Sequence, residues 1–204
     1  MAINNGDTRI AIVAETTKGF TPATPAFLLV DHLPGSKIAE AGDSNSSNTR
    51  KAGRTSSGQV VSGRRAEGTI QSELKRDAAT ELLLASAFCG SWQGDVLKGG
   101  KTDTSFTVEQ TFYDGDAEHI RRATGVQASF SLECEYNGFA TATFELLGLG
   151  CEHEVEPIAD ATYVNASTKP LIRGEKVTNV VIGGLNVIIP TKLSLSVMPE
   201  REAK

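Results

Sequence analysis

The stretch from Gly125 to Gly148 restricts what this chain can fold into more than any other. Phe130, Leu132, Cys134 and Tyr136 alternate with Ser129, Ser131, Glu133 and Glu135, and Asn137-Gly138 then supplies a turn. Ala140, Ala142, Phe144 and Leu146 continue the apolar side, interleaved with Thr141, Thr143 and Glu145. A period of two around an Asn-Gly pair is a β-hairpin with one packed face and one open face. A two-residue loop would set Phe130 opposite Glu145. A three-residue connection, Asn137 to Phe139, sets Tyr136 opposite Ala140 and Phe130 opposite Leu146. Because a one-residue slip exchanges the two faces, the sequence predicts the bulged three-residue turn.

Two further segments are built the same way. Ala66, Ile70 and Leu74 share a face, with Glu67, Thr69, Gln71 and Glu73 on the other; Phe106, Val108 and Phe112 oppose Ser105, Thr107, Glu109 and Thr111. Strands are also expected at Thr8–Ala14, Phe27–Val30, Ser36–Glu40 and Leu193–Val197, with a second hairpin from Val177 to Ile189 around Gly183-Gly184. One helix interrupts the pattern. Asp77 is an N-cap, Ala78 to Phe88 is rich in Ala and Leu, and Gly90 stands at the C′ position. Together these elements predict a mainly β chain with one helix, in a single domain over residues 1–204.

The polar faces are unusual in one respect. Their fifteen positions hold Ser, Thr, Gln and Glu but neither Lys nor Arg, although exposed strands commonly carry lysine. A wall meant to pass DNA benefits from that exclusion, because each cation that meets a phosphate releases counterions and sticks. Glu67, Thr69, Gln71, Glu73, Glu109, Glu133, Glu135, Thr141, Thr143 and Glu145 are therefore the candidate channel-facing residues. The rival explanation is an ordinary solvated acidic surface.

Asp43 to Gly58 contains no large apolar side chain. Alone it cannot bury enough surface to offset its ordering entropy. It is read as a long polar loop, either disordered or a docking arm. Asp43, Asn45, Asn48, Arg50, Lys51 and Arg54 are its candidate contact residues.

Charge and cysteine usage narrow the classes. The net charge is −5, split as +3 over residues 1–76, −11 over 77–160 and +3 over 161–204. That is not the balance of a protein that grips nucleic acid. It suits either a solvated acidic surface or acidic and basic surfaces meeting between copies of one chain. Cys89, Cys134 and Cys151 are too few and too scattered for a disulfide framework. No apolar run approaches the roughly 20 residues of a membrane helix, and the polar start from Met1 to Gly6 has no secretory pattern. Gly94 to Thr102 nearly spells a phosphate loop, but Gly94 is one position too early and a strand follows instead of a helix. Cys151 and His153 lack a second pair at ligand spacing, so no metal is expected. No nucleophile, base and orienting residue share a recognisable spacing, so no enzyme and no cofactor are expected.

Three stretches resemble the major tail tube proteins of phages with long, non-contractile tails. The first is Glu15 to Ala26, with Glu15, Gly19, Pro22 and Pro25 at the family's opening spacing. The second is Gly68 to Phe88 with Trp92, a strand leading into a Leu/Ala helix. The third is the Gly-led hairpin from Thr124 to Gly148. The resemblance implies a β-sandwich or partial barrel with one packed helix, and rings of six subunits whose inner sheets join into a continuous β-barrel, stacked into a tube that conducts DNA as non-specific cargo. It implies a loop reaching the adjacent ring, matched here by residues 43–58. It also implies tape measure, tail terminator and distal tail proteins as partners, and a place in the virion tail after assembly in the host cytoplasm. Competing readings are another β-rich virion part, such as a terminator or head-completion protein, and a soluble β-sandwich binding module.

Overall fold

The computed structural model describes residues 8–46, 58–114, 117–154, 156–177, 180–182, 185–187 and 191–201. Among these described residues, fourteen strands and one α-helix follow in order. They are β1 (Thr8–Ala14), β2 (Ala26–Leu29), β3 (Lys37–Ser46) and β4 (Gln59–Glu73), then α1 (Ala78–Ala87). After it come β5 (Ser91–Gln93), β6 (Val96–Lys98), β7 (Phe106–Asp114), β8 (Ala117–Glu135), β9 (Thr141–Gly148) and β10 (Gly150–Glu154). The chain closes with β11 (Thr162–Val164), β12 (Val180–Ile182), β13 (Leu185–Val187) and β14 (Lys192–Val197). The chain is mainly β with one helix, as the alternation predicts.

A bent ribbon organises these strands. β9 and β10 run antiparallel to β8 in one unbroken register, from Glu133 opposite Thr141 to Ile120 opposite Glu154. β7 flanks the first half of β8 on the other side, and β14 flanks the second. The ribbon therefore belongs to two half-sheets, β11-β2-β1-β7-β8-β10 and β14-β8-β9-β4-β3. All pairings within them are antiparallel except β2 with β11.

The bend lies where β8 carries an extra residue. Phe106 faces Val126 but Val108 faces Ala123, so β8 spends three steps where β7 spends two. Gly125 takes up the distortion with φ +63°, a region open to glycine at no steric cost. A Cβ on Gly125 would also stand 2.7 Å from the Leu149 side chain. The Glu15 carboxylate holds the bulge. Its Oε1 accepts from the Gly125 N–H and the Thr107 hydroxyl, and its Oε2 from the Gly19 N–H and the Ser105 hydroxyl, all at 2.8 Å. Glu15 and Gly19 of the opening motif are thus structural.

Between the half-sheets lies the main core: Ile10 and Ile12 from β1, Ile38 from β3, Ile70 from β4, Phe106 and Val108 from β7, Phe130 from β8 and Phe144 from β9. Phe130 packs on Phe144 at 5.4 Å and on Phe88 at 6.1 Å. α1 closes this core with Ala79, Leu83 and Ala87. Asp77 caps it as expected, accepting from the Thr80 N–H at 2.8 Å. Its other end differs from expectation. Cys89, not Gly90, takes the left-handed position, with φ +49°. Gly90 is needed for a close approach, because a Cβ there would meet the Lys98 carbonyl at 1.9 Å.

Two other expectations are corrected. β8 and β9 pair Phe130 with Phe144, two residues from the expected partner, and their connection spans residues 136–140. The connection is longer because its backbone bonds elsewhere: the Ala140 N–H donates to the Ile172 carbonyl, and the Ala140 carbonyl accepts from Leu74. A shift of two keeps every side chain on its face. The polar segment is also not a loop from Asp43 onward, since Asp43 to Ser46 pair with Ser62 to Gln59 as the outer part of a β3–β4 arm.

The third correction concerns β7, which is covered on both sides. Thr107, Glu109 and Thr111 are each fully buried, so Glu109 does not belong to an open polar face. Over it lies a second small layer, with Ile158, Ala161 and Tyr163 packed on Ala11, Val13 and Phe27. Arg122 Nη2 donates to Glu109 Oε2 at 2.9 Å, Arg9 stands 3.8 Å away, and the Tyr163 hydroxyl donates to Oε1 at 2.5 Å. Burial, and then this bond to a carboxylate, push the Tyr163 phenol well above its ordinary range and keep it protonated.

Two stability changes follow. Gly125→Ala forces a Cβ into Leu149 at a positive φ and is expected to cost about 1–3 kcal/mol in denaturant unfolding; an unchanged midpoint contradicts the account of the bend. Glu109→Gln leaves the buried Arg122 without its counter-charge and is expected to cost about 3–5 kcal/mol. A loss below about 1 kcal/mol, the scale of an exposed pair, contradicts the buried network.

Candidate functional site: a concave polar face

Nine of the ten candidate channel-facing residues lie on one side of the β14-β8-β9-β4-β3 half-sheet. Strand register arranges them in rows. Glu73, Thr141 and Glu133 form one, Gln71, Thr143 and Ser131 the next, and Thr69, Glu145 and Ser129 a third, with Glu67 beyond and Glu135 at the other end. The alternate residues Ile70, Ala142, Phe144, Leu146 and Phe130 fill the core, so the polar side chains are forced to the opposite face.

β14 extends the rows. Ser194 stands beside Glu133, Ser196 beside Ser131, and Lys192 beside Glu135. The alternation of Leu193, Leu195 and Val197 with Ser194 and Ser196 is visible in the sequence; their adjacency to β8 is not. The face is hollowed, and a cavity of ≈ 640 Å³ is lined by Gln71, Ser131, Glu133, Thr141, Thr143 and Ser194 among others.

Among the described residues, cations occur only at its margins. Lys192 pairs with Glu133 at 3.5 Å on the β14 side. On the other side Lys37 stands beside Thr69, and Arg65 bonds Glu67 at 2.5 Å and Asp43 at 3.3 Å. Those two carboxylates raise the Arg65 pKa further and fix its charge. The three central strands β8, β9 and β4 offer hydroxyls, an amide and carboxylates between these margins. Such a surface presents a polyanion with acceptors and negative charge rather than cations.

The candidate docking residues are divided. Asp43 and Asn45 lie on the arm and bond across it, Asp43 to Arg65 and the Asn45 side-chain amide to the Ser62 hydroxyl at 2.9 Å. Asn48, Arg50, Lys51 and Arg54 lie outside the described residues. The arm exposes Val60 and Val61. The near-phosphate-loop glycine, Gly94, sits with φ +61° at the turn of the β5–β6 hairpin.

Two solved structures are similar to parts of the chain. One is the 6-fold symmetrised baseplate of the anti-feeding prophage, at TM-score 0.49 and 6% identity, covering 72% of this chain and 91% of that one. The other is the sheath–tube complex, in its extended state, of an extracellular contractile injection system, at TM-score 0.42 and 6% identity, covering 72% and 89%. No curated protein matches the sequence. The family model described as phage tail tube protein matches residues 6–197, and the chain belongs to that family.

Proposed function

We propose that copies of this chain join into hexameric rings, stack into the tail tube, and line its bore with the concave polar face. The observation that carries the reading is the cation-free centre of that face. DNA sliding past Thr69, Gln71, Thr143 and Glu145 finds acceptors and negative charge but no site for counterion release. Lys192, at the β14 margin, is offset by Glu133.

The ring joints follow from the sheet edges. In the polar half-sheet, β14 and β3 are the terminal strands. The four antiparallel steps between them leave both running in the same direction. Copies in one orientation can therefore set β14 of each against β3 of the next, a heterologous contact that closes or propagates. An edge that would otherwise be an aggregation hazard becomes a joint. The β3–β4 arm is suited to reach the adjacent ring. Tape measure, terminator and distal tail proteins are the expected partners in the virion, with assembly in the host cytoplasm and DNA as cargo during ejection.

Electron microscopy of concentrated protein tests the assembly. Long tubes are expected; isolated closed rings favour a terminator, and monomers at every concentration contradict the reading. Glu133→Lys with Glu135→Lys tests the lining. Virions carrying both should assemble and eject DNA more slowly, whereas ejection kinetics equal to the wild type contradict a bore-facing role.

A further inference from the structure

Beyond the row of Thr69, Glu145 and Ser129, the polar face continues for one more row before the bend: Glu67, Leu147 and Gln127. Gln127, on the central strand β8, is buried, and a cation is bonded to it. Lys18 Nζ donates to Gln127 Oε1 at 3.1 Å and stands 3.4 Å from Asp103 Oδ2. Gln127 closes the triangle, its Nε2 donating to Asp103 Oδ1.

Neither charge sits on a loose segment. Lys18 belongs to a tight turn in which the Phe20 N–H donates to the Thr17 carbonyl at 3.1 Å and the Gly19 N–H to the Glu15 carboxylate at 2.8 Å. Asp103 follows Thr102, whose N–H donates to the Cys89 carbonyl at 2.8 Å. As a stabiliser the ion pair contributes little. Its side chains are 37% and 62% exposed, and such pairs are screened by water and salt. Its consequence is local charge. At 37% exposure, Lys18 without a counter-charge would present a cation to the bend end of a face whose central strands otherwise lack one. Lys192 and Arg65, at the other margins, also stand against carboxylates, Glu133 and Glu67. Lys37 forms no ion pair among the described residues and lies further out, on the terminal strand β3.

We infer that Asp103 and Gln127 cage Lys18, cancelling its charge and fixing its ammonium, so that the bend end of the bore offers DNA no free cation. The inference rests on the bore-lining role proposed above and adds the residues that keep one end of the bore neutral. A lysine gains affinity for a phosphate by releasing mobile counterions. Lys18 has its counter-charge built into the fold, and the Gln127 amide holds that carboxylate in place, so an approaching phosphate has little to release. Asp103 is therefore a positioning residue for DNA passage: it acts on the cargo through Lys18.

Removing the counter-charge tests it. Asp103→Asn keeps an acceptor for Gln127 and deletes only the charge. Virions carrying it are expected to eject DNA about two-fold or more slowly at low salt, with the delay shrinking as salt rises. Adding Lys18→Gln should return ejection to the wild-type rate, because the cation goes with its cage. A wild-type rate for Asp103→Asn, in an assay that slows Glu133→Lys with Glu135→Lys, overturns the cage and leaves the bore reading intact; no delay in either overturns both. A delay that Lys18→Gln does not relieve also overturns the cage, because it assigns Asp103 to folding or assembly. Should Asp103→Asn virions not assemble, a short DNA duplex titrated into the soluble full-length chain at low salt replaces the ejection assay. Asp103→Asn should then bind more tightly than the wild type, with a salt dependence steeper by about 0.9 per phosphate contacted, and the double variant should bind as the wild type does. Equal binding by all three overturns the cage.

Discussion

One carboxylate holds the architecture in shape. Glu15 accepts four hydrogen bonds, two of them from backbone N–H groups that the bulge at Gly125 and the turn at Gly19 would otherwise leave without partners. Bonds to a charged acceptor contribute about 1.5–3 kcal/mol each when shielded from water. The set ties the β1–β2 connection, β7 and the β8 bulge to one point. Without the bend there, β8 would stay in one sheet. With it, the first half of the ribbon covers the core and the second half turns a polar face outward to form a hollow.

The fate of the acidic side chains depends on that division. Glu109 and Glu133 look alike in sequence, each alternating with apolar neighbours in a Ser/Thr-rich strand. Glu109 lies on the half that Tyr163 and its neighbours cover, and it survives burial because Arg122, Arg9 and the Tyr163 hydroxyl surround it. Glu133 lies on the half left open, where water and Lys192 suffice. A buried charge demands a dedicated partner, and an exposed one does not. The protein thus carries a buried ion-pair cluster around Glu109 and a surface acidic field within one strand system.

Much of this is legible in the residues. Period-two alternation assigns the faces of β4, β8 and β9 correctly, because side-chain direction in a strand is local. The helix start follows from Asp77 for the same reason. What the chain does not disclose is which segments cover one another. Nothing near Glu109 announces that residues 158–163 will lie over it; the only cues are Arg9 and Arg122, and the sequence does not align them with it. The β8–β9 register differs from expectation by two residues because distant Ile172 and Leu74 take the backbone bonds of Ala140. The arm reads as a loop because its strands lack apolar alternation; it is held by backbone pairing and by Asp43 and Asn45 contacts.

A structural component of a phage tail needs a rigid fold, edges that accept a copy of itself, and an inner surface that does not bind its cargo. In the tube proposed above, the bend, the β14 and β3 edges and the cation-poor hollow supply these with one sheet. The most direct test is a cryo-electron microscopy reconstruction of the assembled protein that resolves side chains. The account predicts the row of Gln71, Thr143 and Ser131 nearest the common axis, with the Phe130–Phe144 core at larger radius. A reconstruction in which that row points away from the axis, or one with the axis on the β1–β7 side, would contradict it.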